Sequence, residues 1–238
     1  MNRHDFLRFA GLLINLAGCS DGTLDAFTSE ASLGGANTSG GGANTSGGGA
    51  NTSGGGGVAS SATPLLLDDF EDGDNQTLPS GGWWFPTGDG SSTLNVNYAT
   101  QSIRSGSSTH ALRAFGSGFR GWCFVGLDLP GQPNLDARAY ARVSFWARAE
   151  PGSSVRMLSV DVLDSTNVNS MDSTAIHFRK DIELVSEWTN YTLLFADFVP
   201  TSGSPALRLD RGALATVEFW VFSPDAFDFL LDDVSLLP

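Results

Sequence analysis

The sequence predicts an all-β protein, a two-sheet antiparallel β-sandwich with jelly-roll connections. From Pro64 to the C-terminus, about eleven short runs of aromatic and β-branched residues alternate with segments rich in glycine, proline, aspartate and serine, as strands alternate with turns. The nearest approach to an amphipathic helix, residues 205–214, is short and contains Gly212. Leucine-rich runs that carry paired acids open and close the region, at 65–69 and 229–233, and predict that the first and last strands are neighbours.

Residues 1–18 have the features of a bacterial lipoprotein signal peptide. Arg3 and Arg8 flank the start of an apolar run that is too short to span a bilayer, which takes ~20 apolar residues. The run ends in Leu-Ala-Gly-Cys, which resembles the lipobox, where signal peptidase cuts before a cysteine that receives lipid. We therefore predict lipidation of Cys19 and a membrane-anchored protein of the bacterial envelope, at the outer membrane or cell surface. Residues 2–8 also resemble the twin-arginine export motif, but His4 replaces its second arginine.

Residues 19–63 are predicted to form a flexible linker. The heptapeptide Gly-Gly-Ala-Asn-Thr-Ser-Gly occurs three times in succession over residues 34–54, with no apolar pair that could form a coiled-coil seam. Glycine at this density costs backbone entropy on folding, and the repeat has nothing to bury. A flexible segment of this length reaches roughly 35–40 Å on average, so the linker would hold the following domain away from a membrane surface.

The composition limits the partners of the chain. Its 26 acidic and 13 basic residues give a net charge of −13, which argues against nucleic acid, whose phosphates need basic surfaces. Of the two cysteines, Cys19 is the predicted lipid site, which leaves Cys123 without a disulfide partner and predicts a small buried core residue. Residues 64–238 are long enough to bury a core of their own, and we expect one monomeric domain.

Acids crowd together after the first predicted strand, and they are Asp68, Asp69, Glu71, Asp72 and Asp74. Because like charges repel at this spacing, the cluster is either fully solvated or bound to a hard cation such as calcium, which takes about 6–8 oxygen ligands. Strand alternation would place Asp69 and Glu71 on one face, beside an acid of the last strand. The same alternation puts Asp232 and Asp233 on opposite faces, so the residues alone do not decide which of the two reaches the ion.

A series of short motifs resembles the family 11 carbohydrate-binding modules and the wider galactose-binding-like jelly rolls. The motifs are DDFEDG at 68–73, GWW at 82–84, HALR at 110–113, GW at 121–122, VSFWAR at 143–148, HFRKD at 177–181, EWTNY at 187–191 and LDDV at 231–234. The resemblance covers essentially all of residues 64–238. It implies a calcium-stabilised sandwich with a concave face that, in family 11, binds β-glucan chains beside cellulase domains. On this resemblance Asp233 is preferred to Asp232, which gives Asp69, Glu71 and Asp233 as predicted calcium ligands.

A sugar-binding surface needs aromatic rings that stack on a pyranose and polar groups that bond its hydroxyls. Both are expected on the strand face opposite the core. Alternation along four predicted strands gives these candidate ligand-binding residues: Trp146, Asp161, His177, Arg179 and Trp220. Either tryptophan could instead cover a small second cluster under loops. Three further tryptophans beside glycine-rich turns are either platforms at the rim or loop-anchoring core, namely Trp83, Trp84 and Trp122.

The sequence carries no recognisable catalytic motif. A glycosidase needs two carboxylates about 5–10 Å apart, and the acids outside the terminal clusters form no such recognisable pair. Serine-hydrolase and zinc-protease motifs are also missing. We therefore predict a non-enzymatic, lipid-anchored module that binds a poly- or oligosaccharide, β-glucan-like by resemblance. The resemblance also implies the alternative of an accessory module in a glucan-degrading or cellulase system. The other alternative is a structural or assembly lipoprotein whose sandwich binds a protein or envelope partner, which a large flat apolar patch would favour.

Overall fold

A computed structural model describes residues 62–79, 81–102, 104, 108–131, 134–168 and 175–238. The predicted signal peptide, the lipidation site Cys19 and all but the last residues of the predicted linker lie outside the described residues. Two 3-10 helices of three residues each, Phe195–Asp197 and Arg211–Ala213, are the helical elements of the described part. Neither has the length or the apolar run that crossing a lipid bilayer requires.

The described strands number twelve. They are β1 (Leu65–Asp68), β2 (Trp83–Gly88), β3 (Asn95–Gln101), β4 (His110–Gly116), β5 (Cys123–Asp128), β6 (Arg142–Ala149), β7 (Met157–Val168), β8 (Ala175–Glu183), β9 (Thr189–Leu194), β10 (Val199–Pro200), β11 (Leu214–Val221) and β12 (Phe227–Leu237).

The strands form two antiparallel sheets. Sheet 1 has the order β3-β4-β12-β6-β9, with β1 also paired to β12, and sheet 2 has the order β10-β8-β7-β11-β5-β2. This arrangement confirms the predicted all-β, two-sheet antiparallel sandwich. The pairing of Leu65 with Leu236 also confirms that the first and last strands are neighbours.

One continuous apolar core fills the space between the sheets. Alternate residues of β6 and β11 are buried in it, and the rings of Phe145 and Phe219 meet edge to face, with 5.0 Å between their centroids. Burying a side chain of this size stabilises the fold by roughly 1.5–3 kcal/mol. Cys123 lies in this core, as predicted, and burial raises the pKa of its thiol to about 12.

The strand that opens the domain is shorter than its sequence suggests. Strand β1 ends at Asp68, and Phe70 has a φ of 58°, in the left-handed region that few non-glycine residues adopt. The prediction that Asp69 and Glu71 share one strand face is therefore wrong, because the chain has left the strand before it reaches them. Trp84, one of the three undecided tryptophans, is a core residue whose indole N–H donates to buried Asp68 over 2.7 Å.

Candidate functional site

The side of sheet 2 that faces away from the core carries a cluster of aromatic rings. We call this side the outer face of sheet 2, and we define its aromatic layer as Phe85, Trp122, Phe124, Trp220 and Phe222. The rings of Phe124 and Trp220 are stacked with 4.3 Å between their centroids, and those of Trp220 and Phe222 with 5.3 Å and an angle of 10°. Their positions follow from strand register, because Trp220 of β11 lies directly opposite Phe124 of β5.

The aromatic layer is closed at its centre and open at its end. Trp220 is only 9% exposed, since Trp122, Phe124 and Phe222 pack around it. Phe222, at the end of β11, is 44% exposed, and Trp83, on the same face of β2, is 49% exposed. Trp220 therefore supports the layer, while Phe222 and Trp83 present ring surface to solvent.

A network of charged groups lies beside the aromatic layer. Buried Asp161 accepts hydrogen bonds from Nε and Nη2 of Arg179, both over 2.7 Å, in the bidentate geometry that suits a guanidinium. Nδ1 of His177 lies 3.1 Å from Asp161 Oδ2 and 3.4 Å from Glu218 Oε2. Glu218 also accepts the indole N–H of Trp220 over 2.8 Å, which joins the charged network to the aromatic layer.

The network holds His177 in its protonated form. Burial lowers the pKa of this imidazole, but hydrogen bonds to Asp161 and Glu218 and their negative charge outweigh burial and raise the pKa to about 9. At neutral pH the network therefore contains two cations, His177 and Arg179, and two carboxylates. The network thus pairs each buried acidic side chain with a basic one, which offsets part of the cost of removing these groups from water.

The same network is the one group of potential metal ligands among the described residues. Ligand atoms of Asp161, His177 and Glu218 all lie within 4.8 Å of one another, close enough to hold a metal ion. A metal there would have to displace the His177 proton and compete with Arg179 for Asp161. Calcium, which takes oxygen ligands, fits this group poorly.

Four of the five predicted ligand-binding residues lie together on the outer face of sheet 2, and they are Asp161, His177, Arg179 and Trp220. The fifth, Trp146, does not share that face. It belongs to β6 of sheet 1, where the guanidinium of Arg104 lies 4.6 Å from its ring centroid. Strand alternation identifies the face of a strand but not the sheet to which the strand belongs, which is why the prediction that Trp146 shares a face with the other four residues is wrong.

Sequence reasoning did not single out Phe85 and Phe124. Both alternate with core residues along their strands, so strand alternation could have placed them on the outer face. Phe85 also fills the space over Gly126, where a Cβ would lie 2.6 Å from its ring. A glycine in the middle of a strand marks such a close approach.

The predicted calcium ligands do not form a group. The carboxylate of Glu71 accepts the backbone N–H groups of Thr109 and His110, over 2.7 and 3.0 Å, as well as the Thr109 hydroxyl. These bonds outweigh partial burial and lower the pKa of Glu71 to about 2. Asp69 is turned back on its own chain, where it accepts the backbone N–H of Glu71.

The third predicted calcium ligand, Asp233, forms an ion pair with Arg104. The Arg104 guanidinium also donates from Nε to Asp232 over 2.9 Å. Asp232 also accepts the hydroxyl of Ser108 over 2.6 Å. Within the described residues Asp69, Glu71 and Asp233 each have a separate partner, and an arginine supplies positive charge at the last strand. Their role as calcium ligands stays a prediction.

The sequence matches no protein-family model and no curated protein. Its fold is similar to that of a family 11 carbohydrate-binding module from Clostridium thermocellum in complex with a β-1,3-1,4-mixed-linked tetrasaccharide, with a TM-score of 0.52, 16% identity and coverage of 73% of this chain and 95% of that chain. A family 30 module of a cellulosomal cellulase of Clostridium thermocellum matches with a TM-score of 0.51, 17% identity and coverage of 74% and 97%. An agarase matches with a TM-score of 0.50 and 15% identity, over 73% of this chain and 24% of the agarase. The domain thus has the fold of family 11 and family 30 carbohydrate-binding modules, as its motifs suggested.

Proposed function

We propose that residues 64–238 form a non-catalytic module that binds a poly- or oligosaccharide on the outer face of sheet 2. The observation that carries the proposal is an aromatic layer with exposed rings beside hydrogen-bond donors that are fixed in place. The fold, shared with two families of carbohydrate-binding modules, supports the same conclusion.

The exposed rings supply the apolar part of such a surface. Phe222 and Trp83 offer flat faces on which the C–H groups of a pyranose can pack, as aromatic side chains do in carbohydrate sites. The guanidinium of Arg179 lies over the ring of Phe222, 4.4 Å from its centroid, so polar donors are in direct contact with the exposed end of the aromatic layer.

The polar donors are held by the acids behind them. Arg179 uses Nε and Nη2 to bind Asp161, and within the described residues its Nη1 makes no hydrogen bond. His177 likewise uses Nδ1 for the acids and leaves Nε2 without a partner in the described part of the chain. Donors that are fixed before the ligand arrives lose little entropy on binding, so we expect both to bond sugar hydroxyls.

The acids of the site support binding in preference to hydrolysis. A glycosidase needs a protonated carboxylic acid at the scissile bond and a second carboxylate within reach of the sugar. Asp161 and Glu218 are almost completely buried, and each is bonded by a basic or indole N–H. They therefore hold the donors in position and do not face a substrate.

Two single variants test the site by isothermal titration of the purified full-length chain. Phe222→Ala should weaken binding of a mixed-linked β-glucan tetrasaccharide by about tenfold or more, as loss of a central aromatic contact does. The matched control is Phe115→Ala, which removes a ring of similar exposure from sheet 1 and should leave affinity unchanged. Equal losses in the two variants, with both still folded, would reject the outer face of sheet 2 as the binding site.

We further propose that the module is a lipoprotein, anchored in the bacterial envelope through lipid on Cys19 and extended from the membrane by the linker. The linker, with its heptapeptide repeats, and the signal sequence support this proposal. A lipid anchor on a flexible tether would let the module bind polymer near the cell surface.

A structural calcium remains a proposal for the turn that follows β1. Among the described residues, the acids of this turn have one basic partner, the pair of Glu71 with His110 over 3.4 Å. Asp69, Asp72 and Asp74 accept only nearby backbone N–H groups in the described structure. Calcium bound here would relieve their mutual repulsion and would raise thermal stability.

A further inference from the structure

A cleft of about 270 Å³ opens at the end of the outer face of sheet 2. Phe222 forms one wall, so the cleft continues from the exposed end of the aromatic layer. The opposite wall comes from the segment that enters β7 and includes Arg156 and the largely exposed Met157. A ligand on Phe222 would therefore reach directly into this cleft.

Arg156 has no bonded partner among the residues that the structure describes, although the chain is rich in acids. Its Nη1 is buried without a hydrogen bond, and its side chain forms no ion pair or hydrogen bond within the described residues. The chain has twice as many acids as bases. Four other partly buried arginines of the described structure are paired with an acid, and they are Arg104, Arg113, Arg148 and Arg179, while Arg211 donates to the backbone carbonyl of Tyr140. The other two guanidinium nitrogens of Arg156, Nε and Nη2, are not buried in this way and also lack an acceptor within the described residues, so they can receive one from a ligand in the cleft.

We infer that the cleft beside Arg156 is an anion subsite that takes a carboxylate or sulfate group carried by a sugar. The inference rests on the proposed function and extends it, because the sugar that bears the anion would pack on Phe222. A guanidinium presents parallel N–H groups that match the paired oxygens of either anion, whereas a single hydroxyl satisfies only one of them. The glycan is then acidic, a polyuronate or a sulfated polysaccharide.

Asp225 is the acid that lines the same cleft. It is exposed and its carboxylate accepts one hydrogen bond, from the Ser223 hydroxyl, so its charge is partly screened by solvent, and it opposes an anion only in part. Asp225→Asn should therefore strengthen binding of an acidic glycan and leave binding of a neutral one unchanged.

The test compares three tetrasaccharides of similar length on the full-length chain by isothermal titration. They are a tetragalacturonate with carboxylates, a sulfated carrageenan fragment and a neutral mixed-linked β-glucan. At least one acidic ligand should bind more tightly than the neutral one. Arg156→Gln should weaken binding of that acidic ligand by about tenfold or more, which corresponds to about 1.4 kcal/mol. The same variant should leave the affinity for the neutral ligand unchanged.

Two further variants separate the subsite from a structural role. Arg138→Gln removes an exposed arginine that is paired with Asp136 and should have no effect on any ligand. Arg156→Lys keeps the charge but loses the paired donors, so it should retain part of the affinity for acidic glycan. Melting curves establish that each variant is folded.

The possible outcomes distinguish this inference from the proposed function. Binding of the neutral glucan with no preference for either acidic ligand, and no selective effect of Arg156→Gln, would overturn the anion subsite while the binding function stands. Failure of all three ligands to bind folded wild-type chain would overturn both. A preference for the sulfated or for the carboxylate ligand that is lost in Arg156→Gln supports the subsite and identifies the anion.

Discussion

The charge network on the outer face of sheet 2 should make the stability of the domain depend on pH in the alkaline range. The perturbation is deprotonation of His177, whose Nδ1 lies between Asp161 and Glu218. Arg179 binds both carboxylate oxygens of Asp161, including the Oδ2 that faces His177, and the imidazole and the Trp220 ring meet edge to face with 5.4 Å between centroids. When His177 loses its proton, Glu218 is left buried without a cationic partner.

The magnitude follows from the shift of the pKa of His177 from its ordinary value of 6.5 to about 9. Because the folded-state pKa is the higher one, the stabilisation is complete below about pH 6.5 and is lost as the pH rises through about 9. A pKa difference of one between the folded and unfolded states corresponds to about 1.4 kcal/mol. The free energy of unfolding should therefore fall by about 2–3 kcal/mol between pH 7 and 9.5. For a domain of this size the melting temperature should fall by about 5–10 °C.

Thermal melts of the full-length chain at pH 7, 8, 9 and 9.5, followed by circular dichroism, measure this effect. His177→Gln should remove most of the fall over this range, whereas the matched variant His110→Gln, outside the network, should retain it. Titration of the imidazole resonances by NMR is an independent check, since the chain has three histidines and one should titrate near pH 9. Identical pH slopes in wild type and His177→Gln, or three midpoints below pH 7.5, would refute the proposed network.

The remaining predictions concern packing, calcium and the anchor. Gly126→Ala should lower stability by about 1–3 kcal/mol, measured by urea unfolding, because the new Cβ would lie 2.6 Å from the Phe85 ring; an unchanged midpoint would contradict this packing. Removing calcium with a chelator should lower the melting temperature by several degrees, and Glu71→Gln should abolish the difference; identical melts would leave the acids as an ordinary solvated turn. Cys19→Ser, expressed in a bacterium fed a radioactive fatty acid, should carry no label, while wild-type protein should be labelled; an unlabelled wild type would rule out the lipid anchor.

The fold was predictable because its signals are local. Apolar and polar residues alternate along many of the strands, and this alternation predicts β-structure. Two similar runs of leucines and acids predicted the pairing of β1 with β12. The outward positions of His177, Arg179 and Trp220 follow from the same alternation. These features could be predicted because they depend on residues that are close together in the sequence.

The assignment of strands to sheets was not predictable in the same way. Strands β6 and β11 both alternate apolar core residues with an outward tryptophan, Trp146 in one and Trp220 in the other. Nothing in their local sequences shows that they belong to opposite sheets, because that is decided by pairing across the whole chain.

The partners of the acids in the last strand are set by contacts between residues that are far apart in the sequence. Arg104, in the segment after β3, binds an acid that is 128 residues further along the chain. The turn at Phe70, with its positive φ, separates Asp69 and Glu71 from the strand in which a regular period would keep them. Neither feature has a signature in the sequence, so the sequence did not show that an arginine lies beside the acids of the last strand.

Chemical-shift mapping with the indole N–H groups of the tryptophans distinguishes glycan binding on the outer face of sheet 2 from binding on sheet 1. Trp83, Trp122 and Trp220 lie on the outer face of sheet 2, whereas Trp146 and Trp188 lie on or beside sheet 1. On titration of the full-length chain with a glycan that it binds, the account predicts shifts for indoles of the first set and none for Trp146 or Trp188. Shifts confined to Trp146 and Trp188 would place the ligand on the opposite sheet and contradict the account.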